Sequence, residues 1–364
     1  VSTAQMSFRS IVRQLPFAVI VVVGLINLGI AVTYAEVVFG QTAWPVTYTV
    51  VEVTSSQFTL FFMVLIALFA GERVWREREL GADQIVDALP GQTSATMVGK
   101  FLGLVLVEGA LLAFLMGAGM LYQLASGYSR FEPFLYITFL FGTVLPSLVQ
   151  LTALAVLIHV VANQKYLGHA LVIFALILRM LAPTMGLEHP LTRFAVVAPF
   201  RYSDMNGYGP YVPGLVWTTL YWSAVAVLLG VVAYLTWVRG SEPSWQVRRR
   251  AAAQRWRGAT RGVAFGALGV GAVAFGVLFH NTNRVNRWKS STTVRHEKAN
   301  YEKAYKALSR LPQPRLIAAD VRADLVPERL SFGVSGTFTY VNNHAAPIDS
   351  LGDVAVVQGS AGTL

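Results

Sequence analysis

Seven apolar runs limit what this chain can fold into: Leu15 to Ala35, Val53 to Gly71, Phe101 to Leu124, Phe134 to Val161, Tyr166 to Ala182, Gly214 to Val238 and Val263 to Phe279. A helix needs about 20 apolar residues to cross the hydrocarbon core of a bilayer. Backbone N–H and C=O groups find no partner in hydrocarbon, so such runs must close their bonds within the segment, as helices. Charged residues make up only 13% of the 364 positions and apolar ones 54%, whereas about a quarter of a soluble domain is charged. The expectation is an all-α polytopic membrane bundle. The fifth and seventh runs are the shortest, so the count of seven is open by one.

Lys and Arg in the short connections set the orientation. With the N-terminus inside, the inner segments hold Arg9, Arg13, Arg73, Arg76, Arg78, Lys100, Lys165, Arg239, Arg248, Arg249, Arg250, Arg255, Arg257 and Arg261. The outer connections hold only Arg130, Arg193 and Arg201. The N-terminus is therefore expected in the cytoplasm and the C-terminal segment outside. Much of the formal net charge of +10 lies in Arg239 to Arg261, beside which anionic lipid of the inner leaflet is the natural neighbour. Nucleic acid is not expected as a partner.

Cysteine is absent, which excludes disulfides and cysteine-based metal or redox sites. The first run is too long, and too weakly followed by a cleavage pattern, to be a removed signal peptide. The sequence starts on Val1 and stops inside a strand-like pattern, so it is expected to be a piece of something longer.

Between the second and third runs lies a charged elbow, from Gly71 to Pro90. It carries Glu72, Arg73, Trp75, Arg76, Glu77, Arg78, Glu79, Asp83 and Asp87. Glu72 with Arg76, and Arg73 with Glu77, are four apart and pair along a helix face. Exposed pairs of this kind contribute roughly 0.3–0.5 kcal/mol each, so stability explains so many charges poorly. Two readings stand: a short helix on the inner membrane surface that docks a cytoplasmic partner, or a solvated loop with Trp75 at headgroup level.

Glu108 falls about 15 Å into the third run, near mid-bilayer. A carboxyl there is a functional-site candidate by default, and the other reading is a protonated group hydrogen-bonded between helices. Arg179, near an outer end, is expected to snorkel. His159 and His169 read as packing residues. The outer connection from Pro183 to Pro213 contains Tyr202, Asp204, Asn206, Gly207 and Tyr208, where Asn-Gly and flanking glycines favour turns with positive φ. It is either an ordered exposed turn or a gate or binding loop. Gly262 and Gly266 give the last run a small-residue face suited to helix packing.

After His280 the pattern becomes soluble. Val294 to Leu311 has helical spacing, with a stop at Pro312. From Leu330 to Tyr340 the period is two, and Val354 to Val357 begins another strand. The organisation expected is a six-span block at 1–240, a basic linker at 241–262, a seventh span at 263–280, a polar helical linker at 281–313 and an incomplete β-sandwich-like domain at 314–364. Hydrolytic chemistry is not expected. His296-Glu297-Lys298-Ala299-Asn300 begins like HExxH but puts Asn300 where the second zinc ligand belongs. No GxxxxGK[ST] loop occurs either. The chain is therefore expected to be no enzyme, with no catalytic or metal-binding residue.

The elbow from Gly71 to Pro90 resembles that of bacterial ABC-type export permeases fused to a membrane alanyl aminopeptidase. Tyr202-Ser203-Asp204-Met205-Asn206-Gly207-Tyr208-Gly209 is similar to the outer loop of that family. Asn281-Thr282-Asn283, Gly336 to Asn343 and Ala346 to Leu351 are similar to its passage into the first β domain of the peptidase. The resemblance implies one permease half of six spans in the bacterial inner membrane. It also implies an ATP-hydrolysing subunit docked on Glu72 to Leu89, and a second permease half or a second copy of the chain. ATP would act by way of the partner, and zinc only in peptidase sequence that has no matching positions here. Two rivals remain: a membrane anchor for that peptidase, and an inactive fragment.

Overall fold

A computed structural model describes residues 2–35, 37–38, 41–42, 44–82, 85, 93–238, 244–306, 311–326 and 331–348. Its contacts divide the chain into two units, Val1–Phe279 and His280–Leu364.

The first unit is helical. Its elements are α1 (Ser2–Val12), α2 (Leu15–Ala35), α3 (Thr47–Glu79), α4 (Thr93–Ala125), α5 (Pro133–Phe139), α6 (Leu145–Ala162), α7 (Lys165–Leu181), α8 (Val212–Thr236), α9 (Trp245–Arg255) and α10 (Ala259–Phe279). A two-residue antiparallel ladder, β1 (Val37–Val38) with β2 (Gln41–Thr42), lies between α2 and α3.

Among the described residues, five helical stretches are long and apolar enough to cross a bilayer: Thr47–Glu79, Thr93–Ala125, Pro133–Ala162, Gly209–Thr236 and Ala259–Val285. α1 and α2 pass the same test as a pair bent by 62°, which makes six if the pair is one span. These helices make the chain a multi-pass membrane protein. Seven runs with a margin of one were expected, and the fifth and first of them form the less regular helices. The fifth run forms α7, of 17 residues, only about 25 Å long, and Pro183 removes the N–H that would extend it. Pro16, in the first turn of α2, likewise lacks the N–H that would join α1 to α2 in one straight helix.

The fourth run is one span with a flaw in its ladder. α5 and α6 are joined by a π-helical turn at Leu140–Val144, where Leu145 N–H reaches back to the Leu140 carbonyl. Pro146 cannot donate to Gly142, so the chain takes up the slack with a wider turn.

α3 is the central helix, in contact with α2, α4, α6 and α7. Phe58, Phe62, Leu65, Ile66 and Phe69 recur at helical spacing on its buried face. They share a core with Leu104, Val107, Leu111 and Leu115 of α4, Tyr136 of α5, Leu140 of the π-helical turn, and Leu151 and Val156 of α6. α10 packs on α8, yet not through Gly262 and Gly266, around which a Cβ would find open space. The close approach is at Gly271, where an added Cβ would lie 3.4 Å from that of Ala224, flanked by buried Ala264 and Ala274. The expected small-residue packing face is thus displaced around the helix.

The second unit contains a π-helical turn at His280–Val285, α11 (Ser291–Tyr305) and an antiparallel hairpin of β3 (Arg315–Val326) with β4 (Ser331–Val341). Ser290 caps α11, its hydroxyl accepting from Thr293 N–H at 3.2 Å. The alternation read from Leu330 to Tyr340 corresponds to β4. The strand expected at Val354 to Val357 lies outside the described residues.

Candidate functional site

The first part of the charged elbow, Gly71 to Glu79, is not a separate surface helix. α3 continues unbroken through Gly71 to Glu79, a rod of about 50 Å. Gly71 does not bend it. A Cβ there would collide with the rings of His159 and His169, which pack T-shaped with centroids 4.8 Å apart. α3 stops in a Schellman turn: Ala82 N–H bonds to Glu77 C=O at 2.9 Å and Gly81 N–H to Arg78 C=O at 3.1 Å. Gly81 takes φ +64°, which only glycine adopts without strain.

Most of the elbow's charges are engaged within the molecule. Glu72 accepts from Gln14 Nε2 at 2.6 Å and from Arg76 Nη1 at 3.3 Å. Arg73 is only 6% exposed and donates to Ser10 Oγ at 3.1 Å. Lys100 of α4 pairs with Glu77 at 2.8 Å and sits 5.3 Å from the Trp237 ring centroid. Arg78 donates to Asn163 Oδ1 at 2.9 Å while stacking over Trp75. Lys165 pairs with Glu79. Trp75 is buried in the bundle. Arg76 and Glu79 keep exposed surface. Asp83 and Asp87 lie outside the described residues.

Two arginines of the basic stretch have duties that residue type alone does not reveal. Arg248 of α9 is 5% exposed. It donates to Val160 O at 2.6 Å, Val161 O at 3.3 Å and Thr236 O at 2.8 Å and 3.0 Å. These are the orphan carbonyls at the C-terminal ends of α6 and α8, where a cation also meets the negative end of each helix dipole. Burial, and then the nearby Arg78, lower its proton affinity, but a guanidinium remains charged. Arg255 Nη1 similarly serves Tyr234, Leu235 and Trp237 carbonyls. Arg249, Arg250, Arg257 and Arg261 stay exposed, and residues 239–243 lie outside the described set.

Glu108 is fully buried between α4 and α6, and its Oε1 accepts from Thr152 Oγ1. Arg179 is partly buried and donates to Phe194 O at 2.8 Å and Ala195 O at 3.0 Å, holding the loop between α7 and α8. In that loop Ser203 and Gly207 exchange backbone bonds of 3.0 Å and 2.7 Å, with Gly207 at φ +61°. Asp204, Met205 and Asn206 form the exposed tip, while the Tyr202 and Tyr208 rings turn inward and touch at 5.3 Å. No group of three His, Asp or Glu placed to hold a metal occurs among the described residues.

The sequence singled out the elbow and the loop between α7 and α8, and gave no special role to Arg248, Arg255, Tyr48 and Glu52. The last two, one helical turn apart just before the second apolar run, carried the only available signal.

No protein-family model matches the chain, and neither a curated protein nor a solved structure shows significant similarity to it.

Proposed function

We propose that the chain is a permease subunit of an ABC-type exporter in the bacterial inner membrane. A separate ATPase docks on the charged end of α3, and a second permease half or a second copy completes the pathway. Exposed Arg249, Arg250, Arg257 and Arg261 rest on anionic lipid.

One observation carries the reading. The end of α3 that holds Arg76 and Glu79 is continuous with a central bundle helix. It is tied to α1 through Ser10, to the α1–α2 link through Gln14, to α4 through Lys100, and to the α6–α7 turn through Asn163 and Lys165. Each exposed ion pair contributes only about 0.2–1 kcal/mol, so these ties set geometry more than stability. Force applied at that end would displace several helices together, as a motor-driven gate requires.

Absence of native cysteine makes the orientation simple to test. Leu80 is 66% exposed and Met205 96%. In intact cells a membrane-impermeant maleimide should label Met205→Cys, and reach Leu80→Cys only after permeabilisation. The opposite pattern removes the docking reading. With the expected pattern, Arg76→Glu should lower ATPase co-purification without lowering the amount of chain in the membrane. Arg76 is chosen because it pairs with Glu72 on its own helix.

A further inference from the structure

At the end of the bundle remote from the elbow, five aromatic rings converge. Tyr48 comes from the first turn of α3 and Phe139 from the end of α5. Phe200, Tyr202 and Tyr208 come from the loop between α7 and α8. Successive ring centroids lie 5.7 Å apart for Tyr48–Tyr202, 5.3 Å for Tyr202–Tyr208, 5.6 Å for Phe200–Tyr208 and 5.5 Å for Phe139–Phe200. The rings are tilted or edge-on to each other, so they make a wall and not a stack. They line an open cavity of about 840 Å³ together with Glu52, Asp204 and Arg201.

The cavity is built on a braced floor. Gln123 is fully buried; its Nε2 donates to Pro45 O at 2.8 Å and its Oε1 accepts from Tyr136 Oη at 2.9 Å. Thr47 Oγ1 accepts from Glu132 N–H at 3.2 Å. These bonds fix the start of α3 against α4 and α5. On the loop side, the Ser203–Gly207 turn and the two Arg179 bonds hold the segment that supplies the rings.

We propose that this aromatic cavity binds an alkylammonium cation. Aromatic faces carry negative charge density, and walls of tyrosine and phenylalanine are how proteins hold methylated ammonium groups. Two carboxylates, Glu52 and Asp204, line the cavity with one guanidinium, Arg201, and neither carboxylate is in an ion pair among the described residues. The potential at Tyr202 agrees in sign. After burial, the charges of Glu132 and Asp204 hold its hydroxyl proton more tightly than usual. An anion would meet these carboxylates, and a neutral apolar ligand would have no use for them. A bare metal ion is poorly served by an aromatic wall without clustered ligands. The ammonium can be carried by a soluble molecule or by a lipid headgroup. The inference does not rest on an ATPase acting at the other end.

The test is calorimetric titration of the full chain in neutral maltoside micelles with tetramethylammonium chloride at constant ionic strength. Saturable binding is expected, with none for sodium. Tyr202→Phe should bind within about twofold of the parent, since the ring is kept. Tyr202→Leu and the isosteric Glu52→Gln should each weaken binding about tenfold. Absence of saturable binding by the parent overturns the proposal. So does equal binding by Tyr202→Leu and Glu52→Gln, which would place the cation elsewhere. The second arm uses nanodiscs with and without choline-headgroup lipid. Competition that lowers the apparent affinity for tetramethylammonium assigns the cation to a lipid headgroup, and an unchanged affinity assigns it to a soluble ligand. Both results keep the cavity as an ammonium site.

Discussion

Replacing Arg248 with Met tests the assignment of this arginine as a cap for two helices at once. Methionine keeps most of the apolar stem and removes the donors. Three carbonyls, those of Val160, Val161 and Thr236, then lose a charged partner. A buried acceptor left without a donor costs about 1–3 kcal/mol, and loss of a cation at a helix C-terminus costs about 0.3–1 kcal/mol more. Water can reach helix ends, and relief of the repulsion between Arg78 and Arg248 returns part of the loss. The expected net destabilisation is about 2–4 kcal/mol. For a unit of this size that lowers Tm by about 5–10 °C, measured by intrinsic fluorescence during heating in detergent. Arg249→Met, the exposed neighbour on the same helix, is the control and should shift Tm by less than about 2 °C. Arg248→Lys should recover less than half of the loss, because an ammonium cannot present a planar fork to two helix ends. Equal shifts for Arg248→Met and Arg249→Met would refute the capping account.

Two further outcomes follow from the interior. Thr152→Val removes the donor to Glu108 and should cost about 0.6–1.7 kcal/mol by the same melting assay, whereas Glu108→Gln, which keeps an acceptor, should stay within about 1 kcal/mol; a larger loss from Glu108→Gln than from Thr152→Val would contradict the hydrogen-bonded assignment. Gly168→Ala drives a Cβ into the His159 ring and should cost about 1–3 kcal/mol. In the His159→Ala background the same change should be nearly neutral, and additive losses would show that the contact is not the cause.

The elbow shows how far residue types carry. Their density of charge marked where the second apolar run ends, and α3 continues past it to Glu79. They could not announce that Glu77 would meet Lys100, or Arg78 meet Asn163, because those partners are 23 and 85 positions away in sequence. Gly71 looked like a boundary and is instead a site where two histidine rings need room. Arg248 was indistinguishable from Arg249 and Arg250 on paper, since helix-end carbonyls have no signature in side-chain identity. Residues of the α7–α8 loop were legible as a turn from Asn206 and Gly207, but the aromatic wall needed Tyr48 from another element.

By itself the sequence determined the helical membrane class, the approximate limits of the apolar helices and the period-two strand after residue 330. Local composition suffices there, because hydrocarbon leaves the backbone no alternative and β alternation is written residue by residue. Only the tertiary structure decided which charges are spent on neighbouring helices, which remain free, and which face of α10 packs. It also decided that Tyr48, Glu52, Tyr202 and Tyr208 share one cavity. Those outcomes depend on distances between residues far apart in the chain, which no local pattern records.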